Sequence, residues 1–222
     1  MSTRIESAFL LDLDGTLIDS VYQHVLSWKE ALNAEGIELS VWRIHRKIGM
    51  SGGLFTNQLL RETVVEISRD KVERLRQRHA ATQNQYARCR VRGEVLSSLT
   101  DTRIPWAIAT SGRMETARLN LGSLGVDPEC VSVITRDMVR YGKPDADLFI
   151  AAAEKLEMSI GTAVVVGDSI WDMLAAIRGR ALGVGLLSGG YGADELRKAG
   201  AIRVYDDTAD LPLHIDEVGG RR

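Results

Sequence analysis

The chain has 222 residues, of which 45% are hydrophobic and 26% charged, and its formal net charge is −2. These values are typical of a globular protein with one core and an insertion, or with two small domains. No stretch approaches the ~18 apolar residues of a membrane span, and the charge gives no reason to expect a nucleic-acid partner. Residues 1–19 lack the apolar core of a signal peptide, so we expect a cytoplasmic protein. No sequence feature indicates an obligate protein partner.

The first predicted element is a buried strand that ends in two carboxylates. Residues 8–11 are apolar, and Asp12 and Asp14 follow directly before Gly15. Residues i and i+2 of an extended chain point the same way, so both carboxylates should face one small volume. Like charges that close need a counter-charge, and oxygen ligands favour a hard divalent cation, magnesium by preference. The pattern predicts a metal-dependent carboxylate site.

Two other interpretations of this segment remain open at this point. An EF-hand loop also begins D-x-D, but it needs glycine at its sixth position and glutamate at its twelfth. Here Gly15 is fourth and Gln23 is twelfth, which argues against that loop. An ordinary turn is the second alternative, because Asp and Gly are common turn residues.

A block of helical patterns follows the first strand. Helices are predicted over residues 20–35, 41–48, 54–62 and from 68 to about 86. The block from 20 to 88 carries 11 Lys and Arg against 7 Asp and Glu, whereas the rest carries 17 against 23. We interpret it as an inserted small domain whose excess of positive charge reflects a solvated face or a basic lid over an anionic substrate.

Strands alternate with helices over most of the remaining chain. The predicted strands are 8–13, 105–110, 131–135, 163–167, 182–187 and 202–205, and the helices between them are 114–124, 147–156, 170–177 and 194–199. This alternation predicts an α/β fold with a parallel sheet covered on both faces. Ligands of such folds bind at the carboxyl ends of the strands, where Asp12, Thr110 and Asp168 are expected. Cys89 and Cys130 fit no metal or redox spacing and are interpreted as buried or idle thiols.

Three later segments place polar side chains at that edge. Thr110 and Ser111 end a predicted strand and can form a phosphate cradle, or Ser111 can simply cap a helix. Lys143 precedes a proline and a helix, so its ammonium can lie over a phosphate, or it can be an ordinary surface lysine. Asp168 ends an all-valine strand and Asp172 lies four residues on, a pair that favours a metal over capping alone.

These four segments, in this order, resemble the motifs of the haloacid dehalogenase superfamily of phosphohydrolases. They are D-x-D-G-T-L-x-D at residues 12–19, the Thr/Ser motif at 110–111, the lysine at 143, and G-D-x-x-x-D at 167–172. The resemblance implies a Rossmann-like core of residues 1–19 and 89–222, with residues 20–88 as an inserted α-helical cap of the C1 type. Phosphoglycolate-phosphatase-like and β-phosphoglucomutase-like members are the most similar in pattern.

The resemblance also implies a role for each motif residue. Asp12 would be the nucleophile, and Asp14 would protonate the leaving alcohol and then activate water. Mg²⁺ would be bound by Asp12, the Asp14 carbonyl and Asp168, with Asp172 in support. The phosphoryl group would be held by Thr110, Ser111, Gly112 and Lys143. In the predicted cap, the resemblance points to His24, Arg46 and Gly49 as substrate-binding residues, although His24 could be a packing residue and the segment 45–53 a solvated loop.

The sequence therefore predicts a Mg²⁺-dependent phosphatase of a small phosphate monoester, a sugar phosphate or a phosphoglycolate-like compound, acting through an aspartyl-phosphate. The presence of Asp14 favours phosphate ester chemistry. Dehalogenating members of the superfamily lack a second aspartate at this position, because they protonate no leaving alkoxide. One alternative is a β-phosphoglucomutase-type phosphotransferase, which is weakened because Gly52 stands where those members carry an arginine. A non-catalytic binding protein on the same fold is a remote alternative, since no motif residue is lost.

Overall fold

The computed structural model describes residues 7–62, 68–83 and 93–219. Within them a six-stranded parallel sheet has the order β3-β2-β1-β4-β5-β6. Its strands are β1 (Ala8–Leu11), β2 (Trp106–Ala109), β3 (Val133–Ile134), β4 (Ala163–Gly167), β5 (Leu182–Leu186) and β6 (Ala201–Tyr205). The predicted α/β class with a parallel, Rossmann-like sheet is confirmed.

Helices lie between these strands along the chain. They are α1 (Val21–Ala34), α2 (Val41–His45), α3 (Gly52–Arg61), α4 (Arg69–Gln83), α5 (Glu94–Asp101), α6 (Met114–Ser123), α7 (Asp147–Lys155), α8 (Ile170–Gly179) and α9 (Ala193–Lys198). Short 3₁₀ helices include Leu187–Gly189 and Leu211–Val218. No helix in the described parts of the chain is long and apolar enough to cross a membrane.

The central strand β1 is buried on both faces, as expected for an inner strand of a parallel sheet. Phe9 and Leu11 belong to one hydrophobic cluster, and Ala8 and Leu10 belong to another. Because successive side chains of a strand point to opposite faces, the two clusters lie on the two sides of the sheet. The sheet is therefore held rigidly around the strand that carries the first predicted motif.

Strands β1, β2 and β4 end side by side. Leu11 is in register with Ile108 of β2 and with Val166 of β4, so the residues after these strands meet at one edge. The backbone N–H of Asp12 donates to the Val166 carbonyl over 2.9 Å, which extends the pairing by one residue. This register is what brings distant motifs of the sequence to one place.

Helices α1 to α4, here called the helical segment, have a hydrophobic cluster of their own. Its buried members all lie between Val25 and Leu75, and Trp171 of α8 packs against it. The predicted helices differ from the observed ones at their ends: α2 stops at His45 rather than at residue 48. The last predicted helix, to about residue 86, extends beyond the described residues, as does the predicted boundary at 88/89. The division into core and cap stays a prediction.

Besides the three-residue 3₁₀ helices, two elements were not predicted from the sequence. They are α5 and the 3₁₀ helix Leu211–Val218, and both pack on the same side of the sheet, contributing Val95, Leu99 and Leu211 to one hydrophobic cluster. Strand β3 is also shorter than expected, at two residues instead of five.

Candidate active site

Three buried aspartates meet at the carboxyl edge of the sheet. Asp12 follows β1, Asp168 follows β4, and Asp172 lies in the first turn of α8; one carboxylate oxygen from each lies within 4.8 Å of the others. We call these three residues the acid cluster. The cluster contains both members of the predicted pair Asp168 and Asp172, but only Asp12 of the predicted pair Asp12 and Asp14.

Lys143 supplies the positive charge beside the acid cluster. Its Nζ lies 2.5 Å from Asp12 Oδ1 and 2.7 Å from Asp172 Oδ1, and its side chain is fully buried. A buried charge is tolerated only when it is paired, and here one ammonium serves two carboxylates. The surface alternative for Lys143 is therefore excluded.

Close packing of glycines holds the carboxylates in place. A Cβ at Gly15, whose φ is +89°, or at Gly189 would overlap Asp168 Oδ2, and a Cβ at Gly167 would overlap the Asp172 carboxylate. Thr16 Oγ1 also donates to Asp168 Oδ1 over 2.9 Å. Glycine is therefore required at these positions, because any larger residue would displace a carboxylate.

Burial and charge set the protonation of this cluster. Burial raises the pKa of Asp12 to about 7, although the Lys143 ammonium opposes the rise and Asp172 adds to it. Burial and the neighbouring carboxylates raise the pKa of Asp168 well above its usual range. Burial alone would lower the pKa of Lys143, but Asp12 and Asp172 outweigh it and raise that pKa, so the ammonium stays charged.

Asp14 has a different environment from the acid cluster. Its Oδ1 accepts hydrogen bonds from Ser20 Oγ at 2.8 Å and Asn120 Nδ2 at 2.8 Å, and His24 Nε2 lies 3.3 Å away. Burial would raise the pKa of Asp14, but hydrogen bonding from His24 and Ser20 lowers it below its usual value overall. Ser20 directly precedes α1, but its hydroxyl contacts Asp14 and makes no cap to the helix.

A cavity of about 680 Å³ opens over Asp12 and Asp14. From the predicted set it is lined by Asp12, Asp14, His24, Gly49, Thr110, Ser111 and Gly112. Several lining residues were not singled out from the sequence, namely Trp28, Phe55, Arg76, His79, Arg113 and Arg136. The cavity wall therefore combines the strand ends with side chains of α1, α3 and α4.

The predicted phosphate cradle lies at the edge of this cavity. Thr110 is buried, and its Oγ1 accepts a hydrogen bond from the Gly112 N–H over 3.0 Å. Ser111 Oγ donates to the Gly49 carbonyl over 2.9 Å and makes no cap to α6. Gly49 itself has a φ of +93° and packs against Ser169, where a Cβ would lie 2.7 Å from the Ser169 hydroxyl. This contact joins the helical segment to the strand ends.

Arg46 does not line the cavity. Its guanidinium pairs with Glu195 of α9 and lies over the Tyr191 ring, 4.7 Å from the ring centroid. The neighbouring His45 donates from Nε2 to the Gly189 carbonyl over 2.7 Å. The structure thus places Arg46 in a contact between the helical segment and the loop before α9, away from the substrate position expected for it.

The acid cluster has the chemistry of a magnesium site. Three carboxylates lie close enough together to bind one cation, and oxygen is the ligand type that Mg²⁺ prefers. Two of these carboxylates share a single ammonium, so an added divalent cation would relieve an excess of negative charge. The residues present fit the cation that the sequence predicts.

Cys130 is exposed and plays no part in the site, and Cys89 lies outside the described residues.

Comparisons with known proteins agree with this geometry. Residues 6–180 match the family model of the haloacid dehalogenase-like hydrolases. A hexitol phosphatase from Escherichia coli is 30% identical over 173 residues, 76% of this chain and 77% of its own. A validoxylamine A 7'-phosphate phosphatase from Streptomyces hygroscopicus is 29% identical, over 80% of this chain and 84% of its own. The crystal structure of a hydrolase from Pseudomonas syringae shares 51% identity with a TM-score of 0.91, over 96% of this chain and 99% of its own.

Proposed function

The chain belongs to the haloacid dehalogenase-like hydrolases and is a phosphatase, and we propose that it hydrolyses a small phosphate monoester with Mg²⁺ through a covalent phosphate on Asp12. The observation that carries this proposal is the acid cluster paired with Lys143, whose member Asp12 lines the cavity. Phosphoryl transfer needs positioned charge more than elaborate covalent chemistry, and this arrangement provides it.

In the first step a carboxylate oxygen of Asp12 forms a bond to phosphorus while the ester P–O bond breaks. The departing alkoxide needs a proton, and we propose that Asp14, which lines the cavity, supplies it. Burial raises the pKa of Asp14 but its hydrogen bonds lower it overall, so the protonated form would be favoured by the negative charge of the bound phosphate. Lys143 offsets the negative charge of the phosphoryl group as it approaches Asp12. Thr110 and the Ser111 and Gly112 amides are the groups we propose to hold the phosphoryl oxygens.

In the second step Asp14, now ionised, takes a proton from a water molecule. The resulting hydroxide attacks phosphorus, the bond from phosphorus to Asp12 breaks, and the Asp12 carboxylate leaves with the electron pair. Inorganic phosphate is released and both aspartates return to their starting states. The hydrogen bonds of Asp14 to Ser20 and Asn120 keep its carboxyl group oriented between the two steps.

We propose that Mg²⁺ is held by Asp12, the Asp14 carbonyl and Asp168, with Asp172 in support. When bound, the cation would neutralise charge on the phosphoryl oxygens and so reduce repulsion between substrate and carboxylates. Thr16 and Gly15 orient Asp168 for that role, through a hydrogen bond and through the space that a glycine leaves.

The substrate class that we propose is a phosphorylated sugar or polyol. Two relatives act, by their names, on a hexitol phosphate and on validoxylamine A 7'-phosphate, both polyhydroxylated. A cavity of about 680 Å³ lined by charged and polar side chains of α4 offers hydrogen-bonding partners to such a molecule. We retain the predicted cytoplasmic location as part of this proposal.

The test is hydrolysis of p-nitrophenyl phosphate with and without Mg²⁺, followed by a panel of sugar and polyol phosphates. We expect Mg²⁺-dependent release of phosphate, and a loss on the order of 10⁴-fold or more for Asp12→Asn, because the nucleophile is gone. Asp194→Asn, on the exposed side of α9, is the matched control and should retain activity. Activity that survives Asp12→Asn would overturn the nucleophile assignment. Formation of glucose 6-phosphate from β-glucose 1-phosphate, without free phosphate, would favour the mutase instead.

A further inference from the structure

His79 of α4 is a cavity residue that no motif accounts for. Its ring stacks on Trp28, with centroids 4.3 Å apart and planes at 18°, and on His24, with centroids 5.4 Å apart and planes at 22°. His24 and Trp28 lie one turn apart on α1, so they present one face to α4. His79 is thus fixed against the same helix that carries the histidine beside Asp14.

A chain of side-chain contacts links His79 to Asp14. His79 Nε2 lies 3.3 Å from His24 Nδ1, and His24 Nε2 lies 3.3 Å from Asp14 Oδ1. Asp14 Oδ1 already accepts hydrogen bonds from Ser20 Oγ and Asn120 Nδ2, so it is the accepting oxygen of this carboxyl group, and the proton that Asp14 transfers would be carried by Oδ2. His24 therefore presents an N–H at Nε2. With a single ring proton on His24, at Nε2, its Nδ1 accepts and His79 donates to it from Nε2.

The surroundings of His79 keep its ring neutral and fix its orientation. Burial lowers its pKa to about 3, helped by His24, so the ring is neutral over the physiological range. Trp28 covers one face of the ring, and Phe55 in turn packs on Trp28 with centroids 4.7 Å apart. A neutral ring held on a rigid aromatic support has a defined orientation, which is what a hydrogen-bond partner needs to fix a tautomer.

We propose that His79 is a positioning residue that fixes the tautomer and orientation of His24, and through it the orientation in which Asp14 protonates the leaving alkoxide. This inference rests on the proposed function, because it takes Asp14 as the general acid. His79 itself need not touch the reacting atoms.

The proposal predicts an effect that depends on the leaving group. A poor leaving group needs the proton from Asp14, whereas p-nitrophenolate leaves without it. Because kcat/KM reports the steps up to the first irreversible one, it isolates ester cleavage from the later hydrolysis of the covalent phosphate. A purely structural role for His79 would lower kcat/KM equally for all leaving groups.

The experiment measures kcat/KM for phenyl phosphate and p-nitrophenyl phosphate, which differ little in size, in variants of His79. In His79→Phe, which keeps the stack on Trp28 but removes the donor, we expect the phenyl to p-nitrophenyl ratio to fall about tenfold, a part of the 10²–10⁴-fold typical of general acid catalysis. His79→Gln can place an amide N–H near the position of Nε2 and should restore most of the ratio, whereas the shorter His79→Asn should not. His214→Phe is the matched control, since His214 also stacks on an aromatic ring, Tyr205, with centroids 4.9 Å apart.

Several results would overturn the proposal. An unchanged ratio in both His79→Phe and His79→Asn would do so, as would a ratio in His79→Gln that falls as far as in His79→Asn. If His79→Phe does not fold, the Gln and Asn variants still decide. Asp14→Asn separates this inference from the proposed function: a ratio unaffected by Asp14→Asn refutes Asp14 as the general acid, whereas a collapse there with no effect at His79 refutes only the role of His79.

Discussion

The two walls of the cavity are built in different ways. At the sheet edge, the wall includes Asp12, which belongs to the buried acid cluster paired with Lys143, and close-packed glycines hold these charges in place. On the helical segment, the wall combines packed rings of α1, α3 and α4 with polar side chains of α4, and the contacts of this segment with the rest of the molecule include the partly exposed ion pair of Arg46 with Glu195.

This difference matches the tasks that we propose for the two walls. Reacting groups need fixed geometry and a low dielectric, so their charges are paired and buried. A wall that admits different substrates needs shape and adaptable polar groups, and it can be joined to the core by contacts of small energy. Changes at the sheet edge should therefore be severe, and changes in the contacts of the helical segment should be mild.

The largest effect is expected for Lys143→Met. Removal of the ammonium leaves two buried carboxylates uncompensated, which should destabilise the protein by about 3 kcal/mol or more and remove the activity. Added Mg²⁺ should restore part of the stability, because it replaces the lost positive charge. Denaturant unfolding with and without Mg²⁺ measures both effects. Lys198→Met, at the end of α9, is the control, and equal unfolding free energies for both variants would contradict the account.

A smaller effect is expected where packing alone is changed at the same wall. Gly189→Ala would force a methyl group into Asp168, which should cost about 1–3 kcal/mol by overpacking and weaken Mg²⁺ activation. In Gly161→Ala the nearest atom to the new Cβ is 3.6 Å away, so this control should behave as the original protein. The Mg²⁺ concentration for half-maximal activity is the measurement. An unchanged value in Gly189→Ala would show that Asp168 is not held by this contact.

The pH dependence of Mg²⁺ binding follows from the raised pKa of Asp12. A carboxyl group with a pKa of about 7 is mostly protonated at pH 6 and mostly ionised at pH 8. Protons compete with the cation, so the apparent Mg²⁺ affinity should fall about tenfold from pH 8 to pH 6. For the same reason, Asp12 makes the metal-free protein less stable as the pH rises from about 4 to 7, since the native state binds more protons than the unfolded one. Mg²⁺ titrations at the two pH values measure the competition, and equal affinities would refute it.

The smallest effect is expected for Arg46→Ala. Its guanidinium and Glu195 are 37% and 41% exposed, so solvent screens the pair and its loss should cost less than ~1 kcal/mol. Because Arg46 does not line the cavity, KM should stay the same. Arg197→Ala, which removes an ion pair within α9, is the matched control. A large rise in KM for Arg46→Ala alone would restore the substrate-binding role expected from the sequence.

The same division explains what the sequence predicted. Asp12, Asp168 and Lys143 each follow a strand or precede a helix within a short local pattern, and a parallel sheet brings strand ends together by rule. The fold class and the grouping of acids at one edge could therefore be predicted without coordinates. That Asp14 lies outside the acid cluster could not be predicted in this way. Its position depends on contacts with Asn120, which is distant in the sequence, and with His24 of the following helix α1.

The contacts of the helical segment could not be predicted from the sequence for a similar reason. Arg46 lies in a loop-like pattern, and nothing near it in the sequence indicates its partner Glu195, 149 residues on. His79 stands in a strongly polar helix, where a histidine is unremarkable, and its support Trp28 is on another helix. Pairings of this kind are set by tertiary packing, so a local pattern does not reveal them.

The central claim is that phosphate is transferred to the Asp12 carboxylate. The direct measurement is a rapid quench during turnover, followed by borohydride reduction and peptide mass spectrometry. An acyl phosphate at Asp12 would be reduced to homoserine at position 12, and we expect this product with substrate and Mg²⁺ but not without either. Unmodified Asp12 during active turnover, together with reduction at another carboxylate, would contradict the account.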